Sequence, residues 1–223
     1  MSAEAEAVAV DYLELIEKLP ENGILTLSDV SWEEYENLLK AVGETPSLRI
    51  TFDNGRMQIM TLSFKHEYYG DFIKRLVDRL HYVFRIKVIF FGSATLKRQR
   101  RLKGAEPDAC FYVQSAPIIG HKINLDLRID PPPDVVLEVD IHHESISRFH
   151  IYEGLDVPEL WHYDEQKLTI YHLQEGRYEV AGNSRAFPIL TGEVLTEFLT
   201  RSQTDGQDET LLAFEDWLRA QKT

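Results

Sequence analysis

The strongest constraint on the fold is an apolar run from Asp134 to Asp140 that carries one acid, Glu138, in its interior. Its β-branched and aliphatic residues are typical of a central strand that is buried on both faces. Burying an unpaired carboxylate either costs several kcal/mol or shifts its pKa until it is neutral. Glu138 therefore needs a cation, a hydrogen-bond donor or water beside it.

A second acidic segment, Glu106-Pro107-Asp108, opens another strand-like run that ends at Val113. Two neighbouring strands that present carboxylates at matching ends would form a divalent-metal site, and Mg2+ prefers carboxylate oxygens. We expect Asp108 and Glu138 to lie together at such a site. The alternative is that both are buried acids paired to arginines.

Two further acids could extend this site. Asp140 ends the buried run and could hold a second metal ion, or it could cap the turn that follows. Glu67 lies near the start of a predicted helix, where the helix dipole also favours a solvated acid. The adjacent His142 and His143 predict no zinc or iron site, because neighbouring side chains on an extended segment point in opposite directions.

Periodicity and turn signals predict an α/β protein in which a mixed central sheet is flanked by helices. A capping box at Ser31 and Glu34 predicts a helix that ends at Gly43, and the turn around Asn54-Gly55 predicts a hairpin. The other predicted elements are a long helix over 63–84, strands over 87–91, 108–113 and 134–140, a helix over 145–155, a hairpin over 159–173, a short strand over 178–180, a polar loop over 200–209 and an amphipathic helix over 211–220.

The 223 residues, 43% of them hydrophobic, can bury one sizeable core. We expect one domain over residues 1–223, with an N-terminal helical extension over about 1–45 and a C-terminal helix over about 210–221. The acidic N-terminus has no basic segment before an apolar core, and no apolar run approaches the roughly 18 residues of a membrane span. We therefore expect a cytoplasmic protein. The single cysteine, Cys110, is predicted to be a buried hydrophobic residue.

Charge argues against binding nucleic acid over the whole surface, because the net charge is -13 and phosphate contacts need local positive charge. One dense basic run, residues 97–103, directly precedes the Glu106-Pro107-Asp108 segment. Its side chains either contact phosphates or form a solvated loop. The residues predicted to bind nucleic acid are Lys97, Arg98, Arg100 and Arg101.

Four features in this order resemble the Uma-type restriction endonucleases of the PD-(D/E)XK nuclease superfamily. They are Glu106-Pro107-Asp108, the strand Val135-Val136-Leu137-Glu138-Val139-Asp140, Arg148 four residues before Tyr152, and Val157-Pro158-Glu159-Leu160-Trp161. The resemblance covers roughly residues 25–180, and its specific part is 92–173. It implies a restriction endonuclease-like fold.

The resemblance also implies roles for single residues. Asp108 stands at the first metal carboxylate of the superfamily, Glu138 at the second, and the Val139 carbonyl is an expected further ligand. The chain departs from the family pattern at the basic residue, since Asp140 fills the third position of the Glu-x-Lys motif and Arg148 stands where the lysine has moved to the following helix. Arginine can stabilise a pentavalent phosphate, but its pKa above about 12 prevents it from deprotonating water.

The leading hypothesis is hydrolysis of DNA phosphodiester bonds by a water nucleophile with Mg2+ or Mn2+ as cofactor. The alternative is a catalytically inactive nuclease fold that acts in nucleic-acid binding or protein assembly, which Arg148 and the negative net charge favour. We expect a homodimer, because cutting two strands favours a symmetric pair of sites. The C-terminal amphipathic helix is a candidate interface, and docking on its own core is the other interpretation.

Overall fold

The computed structural model describes residues 12–43, 45, 47–141 and 148–222. Its strands are β1 (Ile24–Leu27), β2 (Leu48–Asp53), β3 (Arg56–Thr61), β4 (Ile89–Phe90), β5 (Leu96–Arg98), β6 (Lys103–Ala105), β7 (Ala109–Tyr112), β8 (Val135–Val139), β9 (Glu159–Tyr163), β10 (Leu168–Gln174) and β11 (Arg177–Ala181). Its helices are α1 (Trp32–Val42), α2 (Phe64–Phe84), α3 (Ala116–Ile119), α4 (Phe149–Gly154), α5 (Gly192–Thr204) and α6 (Gln207–Ala220), and residues 12–17 are also helical.

The expected mixed α/β architecture is confirmed, but it contains two sheets rather than one. The larger sheet has the strand order β11-β10-β9-β8-β7-β4, in which only β8 and β9 pair in parallel. The smaller sheet has the order β1-β3-β2-β6-β5. The predicted hairpin is confirmed as β2 and β3. It forms the centre of the smaller sheet, because β1 pairs with β3 and β6 pairs with β2.

Alternation along β8 divides its side chains between two layers. Val135, Leu137 and Val139 belong to the main core with α2, α5 and α6, whereas Val136 belongs to a second core with Tyr152 of α4. Successive strand residues point to opposite faces, so Glu138 faces the α4 side with Val136. Glu138 of this buried strand therefore lies in a partly polar layer.

The long helix α2 is confirmed by its bounds, and it covers the larger sheet. Ser63 caps its N-terminus by accepting a hydrogen bond from the His66 backbone at 3.3 Å. Phe72, Leu76 and Leu80 are fully buried in the main core. This cap fixes where the first turn of α2, which carries His66 and Glu67, meets the strand ends.

The predicted capping box is also confirmed. The Ser31 side chain accepts from the Glu34 backbone at 3.1 Å, and Glu34 accepts from the Ser31 backbone at 2.7 Å. The helix α1 that it opens packs on the smaller sheet, where Tyr35 stacks on Phe52 at 4.9 Å. The smaller sheet thus has its own core.

Several elements differ from the predictions, among them α3 and the first part of α5, which were not predicted. The basic run is not a loop, because β5, a 3-10 turn over Gln99–Arg101 and β6 make it a hairpin at the edge of the smaller sheet. The segment 200–209 is not a loop either, since α5 continues to Thr204 and only Asp205 and Gly206, with φ of 89° at the glycine, separate it from α6. The strand β1, in the region expected to be helical, was not predicted.

The C-terminal helix docks on its own core. Leu211, Phe214 and Leu218 of α6 are buried against α2 and α5, and Phe214 stacks on Trp217 at 5.7 Å. Its apolar face is therefore used within the chain. Among the described residues, no helix is long and apolar enough to cross a membrane.

Candidate active site

A pocket of about 230 Å³ opens over the C-terminal end of β8 on its α4 side. Side chains from both sheets and from α2 surround it. Its lining includes Glu138, Asp140 and His162 from the larger sheet, Thr61 and Leu62 beside the smaller sheet, His66 from α2, and Arg148 and Phe149 at the start of α4. The pocket therefore lies at the junction of the two sheets.

Asp108 lies beside the end of β8, as expected for neighbouring strands with acids at matching ends. Its backbone N–H donates to the Leu137 carbonyl at 3.0 Å, which places it at the start of the antiparallel β7. One carboxylate oxygen accepts from Arg49 Nε at 3.2 Å, and the other accepts from the Val139 N–H at 2.8 Å. The side chain is 2% exposed, so these donors take the place of water.

Glu138 is held by two residues of the α4 segment. Arg148 donates from a terminal guanidinium nitrogen to one carboxylate oxygen, and the Tyr152 hydroxyl donates to the other. Arg148 is itself buried, with 8% of its side chain exposed. The four-residue spacing of Arg148 and Tyr152 brings both to one carboxylate because residues four apart share a helix face.

Both acids are thus paired to arginines, as the alternative interpretation of the sequence held. Asp108 contacts Arg49, and Glu138 contacts Arg148. Breaking such a buried pair by removing one partner would leave an uncompensated charge. The pairing does not exclude a metal, since each carboxylate oxygen that accepts one hydrogen bond keeps a second lone pair.

Burial dominates the proton affinities in the pocket. It raises the pKa of Glu138 to about 7, against the opposing effect of Arg148, and the neighbouring charge of Asp108 raises it further. Burial also lowers the pKa of His66, although Asp108 acts in the other direction. Burial therefore favours the neutral form of both groups.

The charge balance of this layer fits a divalent cation. Among the described residues, four carboxylates accompany two arginines around the pocket: Asp108, Glu138, Asp140 and Glu67 against Arg49 and Arg148. Within the described ranges, however, no group of three His, Cys, Asp or Glu side chains already converges on one point. The carboxylates supply oxygen ligands, which suit Mg2+ or Mn2+.

The other predicted site residues take varied positions. Asp140 lines the pocket, with His162 Nε2 at 3.8 Å from its carboxylate. Glu67 is 47% exposed, and its carboxylate lies 3.6 Å from Arg49. The Val139 N–H donates to Asp108, and the next N–H along the strand, that of Asp140, donates to Tyr163 of β9. The backbone of Val139 therefore faces the Asp108 side of β8.

The basic run lies away from the pocket, and acids engage several of its side chains. Lys97 donates to Glu36 at 2.8 Å, Arg98 pairs with Asp156, and Lys103 pairs with Asp53. Arg100 and Arg101 are exposed. A separate hollow of about 370 Å³ is lined by Arg98, Gln99, Arg100, Arg101, Leu127 and Arg128.

Four site residues were missed or undervalued in the sequence. Arg49 and His66 reach Asp108 from β2 and α2, and Tyr152 reaches Glu138 from α4. Glu106, the first acid of the Glu-Pro-Asp segment, is a bridge rather than a ligand, because it accepts from the Ile50 backbone and from Thr95, both at 2.8 Å. The spacing of Tyr152 from Arg148 was visible in the sequence, whereas no local pattern signals Arg49 or His66.

The structure tests the prediction for Cys110 and part of the prediction for the helix over 145–155. Cys110 is fully buried, and burial raises the pKa of its thiol to about 12, so the hydrophobic interpretation is confirmed. The predicted helix over 145–155 is observed from Phe149 onwards. Its first residues, together with His142 and His143, lie outside the described residues.

Comparisons with known proteins concern the fold and the family of this chain. The fold is similar to that in the "Crystal structure of a putative nuclease belonging to DUF820 from Anabaena variabilis ATCC 29413", with a TM-score of 0.50. The two chains share 17% sequence identity, and the match covers 74% of this chain and 97% of that chain. At this identity the similarity concerns the fold alone. No curated protein matches the chain.

A family model provides the more specific match. The Uma2 model, described as "Putative restriction endonuclease", matches residues 32–202. This range includes both sheets except for β1, and it includes Asp108, Glu138 and Arg148. Because the match spans most of the chain, the protein belongs to the Uma2 family.

Proposed function

We propose that this protein is a metal-dependent endonuclease that hydrolyses phosphodiester bonds of DNA. The observation that carries the proposal is the pair of buried carboxylates, Asp108 and Glu138, at matching ends of the adjacent strands β7 and β8 beside a pocket. Membership in a family described as a restriction endonuclease family supports the nuclease class.

Asp108 and Glu138 would hold Mg2+ or Mn2+, with the Val139 carbonyl as a further oxygen ligand. Such an ion would activate a water molecule and neutralise charge on the scissile phosphate. The excess of carboxylates over arginines in this layer favours a cation. Arg49 and Tyr152 would keep the two carboxylates in place, since Arg49 donates to Asp108 and Tyr152 donates to Glu138.

Arg148 and Asp140 would act on the substrate itself. Arg148 is buried at the pocket and keeps its positive charge, so it can hydrogen-bond to a non-bridging phosphate oxygen. It cannot accept the proton of the attacking water. Asp140 lines the same pocket and is about one quarter exposed, which allows its carboxylate to orient that water and to pass a proton to solvent.

The basic hairpin would contact the phosphate backbone outside the pocket. Arg100 and Arg101 are the better candidates, because both are exposed, whereas Lys97 and Arg98 donate hydrogen bonds to Glu36 and Asp156. Arg101 also lies near Asp156, at the longer distance of 3.9 Å. Arg98 pairs with Asp156, which lies just after the C-terminal end of α4, and Arg148 lies just before the N-terminal end of the same helix. The helix α4 therefore links the basic hairpin to the pocket.

Cleavage of supercoiled plasmid with Mg2+ or Mn2+ tests the proposal. We expect the wild-type protein to nick or linearise the plasmid, and Asp108→Asn and Glu138→Gln to lower the rate by at least about a hundredfold. The control is Glu179→Gln, which makes the same change at an exposed position of β11. Wild-type protein without cleavage over several DNA substrates and both metals would refute the proposal.

One observation favours a second candidate, a nuclease fold used for binding or assembly without catalysis. Arg148 and Tyr152 occupy both oxygens of Glu138, and no lysine stands at the position of Arg148. Under this candidate the wild-type protein is inactive, and Arg148→Lys gains cleavage because lysine can lose a proton when its pKa is lowered by burial. Cleavage by the wild-type protein would exclude it.

We further propose a homodimer in the cytoplasm, since a symmetric pair of sites suits cleavage of two strands. The docked face of α6 is not its interface, because that face is buried within the chain. Light scattering with size-exclusion chromatography should give about twice the 25.8 kDa mass of one chain. The mass of a single chain would contradict the dimer.

A further inference from the structure

We infer that His66 Nε2 is a nitrogen ligand of the divalent metal at Asp108 and that it makes the site prefer Mn2+ to Mg2+. The inference rests on the proposed metal-dependent function and concerns the choice of ion at that site. It adds a ligand from α2 to a set that the two carboxylate strands would otherwise supply alone.

His66 lies beside Asp108 at the pocket. The residue lies in the first turn of α2, its side chain is 5% exposed, and it lines the same pocket as Glu138 and Asp140. Its Nε2 lies 3.3 Å from the Asp108 carboxylate oxygen that also accepts from the Val139 N–H. The imidazole edge therefore points to the place where the two carboxylate strands meet.

The hydrogen bonding of His66 Nε2 also supports the inference. Although Nε2 is buried, it makes no hydrogen bond with any residue that the structure describes, despite its closeness to Asp108. Buried side-chain nitrogens almost always have a partner, and a bound ion is one of the groups that can supply it. In the tautomer that carries its proton on Nδ1, the Nε2 lone pair faces a carboxylate oxygen, and a cation bound by both atoms would remove their repulsion.

The distance between the two atoms agrees with shared coordination. Metal–ligand bonds of about 2.1 Å put neighbouring ligand atoms about 3.0 Å apart in octahedral geometry and about 3.4 Å apart in tetrahedral geometry. The 3.3 Å between Nε2 and the Asp108 oxygen falls between these values. A single ion can therefore contact both atoms without movement of the backbone.

The ligand type predicts the ion. Mg2+ takes oxygen ligands and keeps several waters, whereas imidazole suits transition metals. Mn2+ accepts carboxylate oxygens and sits among the first-row metals, so one nitrogen among oxygen ligands shifts the balance towards it. Without His66 the site would consist of oxygen ligands only and would lose this preference.

Binding of each metal alone, without DNA, tests the inference. Calorimetry with Mn2+ and with Mg2+ is applied to the wild-type protein, to His66→Gln and to His162→Gln, and pulsed electron paramagnetic resonance of bound Mn2+ detects nitrogen coupling. His162 is the matched control because it lines the same pocket but lies on β9, 3.8 Å from Asp140. Thermal unfolding of each variant establishes that it is folded.

We expect nitrogen coupling in the wild-type protein and in His162→Gln but not in His66→Gln. We also expect His66→Gln to bind Mn2+ at least about tenfold more weakly, with a smaller change for Mg2+. If His66→Gln does not fold, the wild-type protein and His162→Gln are each prepared with 15N-labelled histidine. The nitrogen coupling of bound Mn2+ should then change with the isotope in both proteins.

Two results would overturn the inference while leaving the proposed function intact. They are Mn2+ bound without nitrogen coupling in the wild-type protein, and coupling that survives in His66→Gln. If neither metal binds the wild-type protein, the metal-dependent function fails together with the ligand. The outcomes for the function and for His66 are therefore separate.

Discussion

At the scale of single residues, each of the two buried carboxylates of the site has a cationic partner. Asp108 has Arg49, and Glu138 has Arg148 together with the Tyr152 hydroxyl. A hydrogen bond to a charged group contributes about 1.5–3 kcal/mol, roughly twice the contribution of a neutral one. The hydroxyl of Tyr152 should therefore matter more to the fold than other buried tyrosine hydroxyls.

We predict that Tyr152→Phe lowers the free energy of unfolding by about 2–3 kcal/mol at pH 8. Tyr112→Phe is the matched control, because Tyr112 is equally buried and donates at 2.9 Å to the neutral carbonyl of Pro131. It should lose only about 1 kcal/mol. Denaturation in urea measures both values, and equal losses would contradict the strong contact with Glu138.

Cys110 provides a prediction about pH. Burial raises the pKa of its thiol from 9.0 to about 12, so the native state keeps the proton that the unfolded state loses above pH 9. The contribution of Cys110 is therefore complete below pH 9 and is lost as the pH rises towards 12, by up to about 1.4 kcal/mol per pH unit.

The comparison with Cys110→Ala isolates this contribution from those of the tyrosines. We expect the wild-type protein to lose its stability advantage over the variant between pH 9 and pH 10.5, as measured by urea denaturation at several pH values. Parallel pH profiles of the two proteins would show that the thiol ionises freely in the native state.

At the scale of elements, the sequence predicts those that carry a regular period or a clear cap. The helices α1 and α2, the hairpin of β2 and β3, and the strands β7 to β10 follow from apolar spacing and turn residues. The hairpin of β5 and β6 does not, because its charged residues resemble a solvated loop and its strands form only by pairing with β2 and with each other. Tertiary pairing decides such segments, and local propensity does not.

The same distinction holds for the site. The neighbouring positions of Asp108 and Glu138 could be predicted from the apolar strands that carry them, whereas Arg148 was singled out by the family resemblance, and it contacts Glu138. Arg49 and His66 could not be predicted, because their partner lies far away in the chain and only the meeting of the two sheets brings them together.

Gly104 in β6 illustrates how tightly the smaller sheet is packed. A Cβ at this position would lie 2.3 Å from the Tyr35 hydroxyl oxygen and 2.7 Å from its ring. Because Tyr35 is fully buried and stacks on Phe52, it cannot move away without disturbing that core.

We predict that Gly104→Ala lowers the free energy of unfolding by about 2–3 kcal/mol. The control is Gly182→Ala, where no atom lies within 4 Å of the added carbon, and its effect should stay within about 0.5 kcal/mol. Thermal or urea denaturation compares the two. A neutral Gly104→Ala would show that α1 can shift on the sheet.

At the scale of the whole molecule, a net charge of -13 requires that DNA is met by a local surface. Under the proposed function, the double variant Arg100→Ala/Arg101→Ala should weaken DNA binding and lower the slope of log affinity against log salt by about 2. Lys97→Ala should change the slope less, because Glu36 already neutralises that lysine. Fluorescence anisotropy at several salt concentrations measures the slopes. An unchanged slope in the double variant would show that DNA contacts another surface of the protein.

The parallel pairing of β8 with β9 has a consequence for synthesis of the protein. Strand β8 carries Glu138, but its parallel neighbour lies beyond the α4 crossover, and Arg148 and Tyr152 are also part of that later segment. A chain that is still emerging from the ribosome with only β8 exposed lacks both the strand and the donors that hold the carboxylate. Whatever chemistry the pocket performs is therefore withheld until most of the polypeptide has been translated.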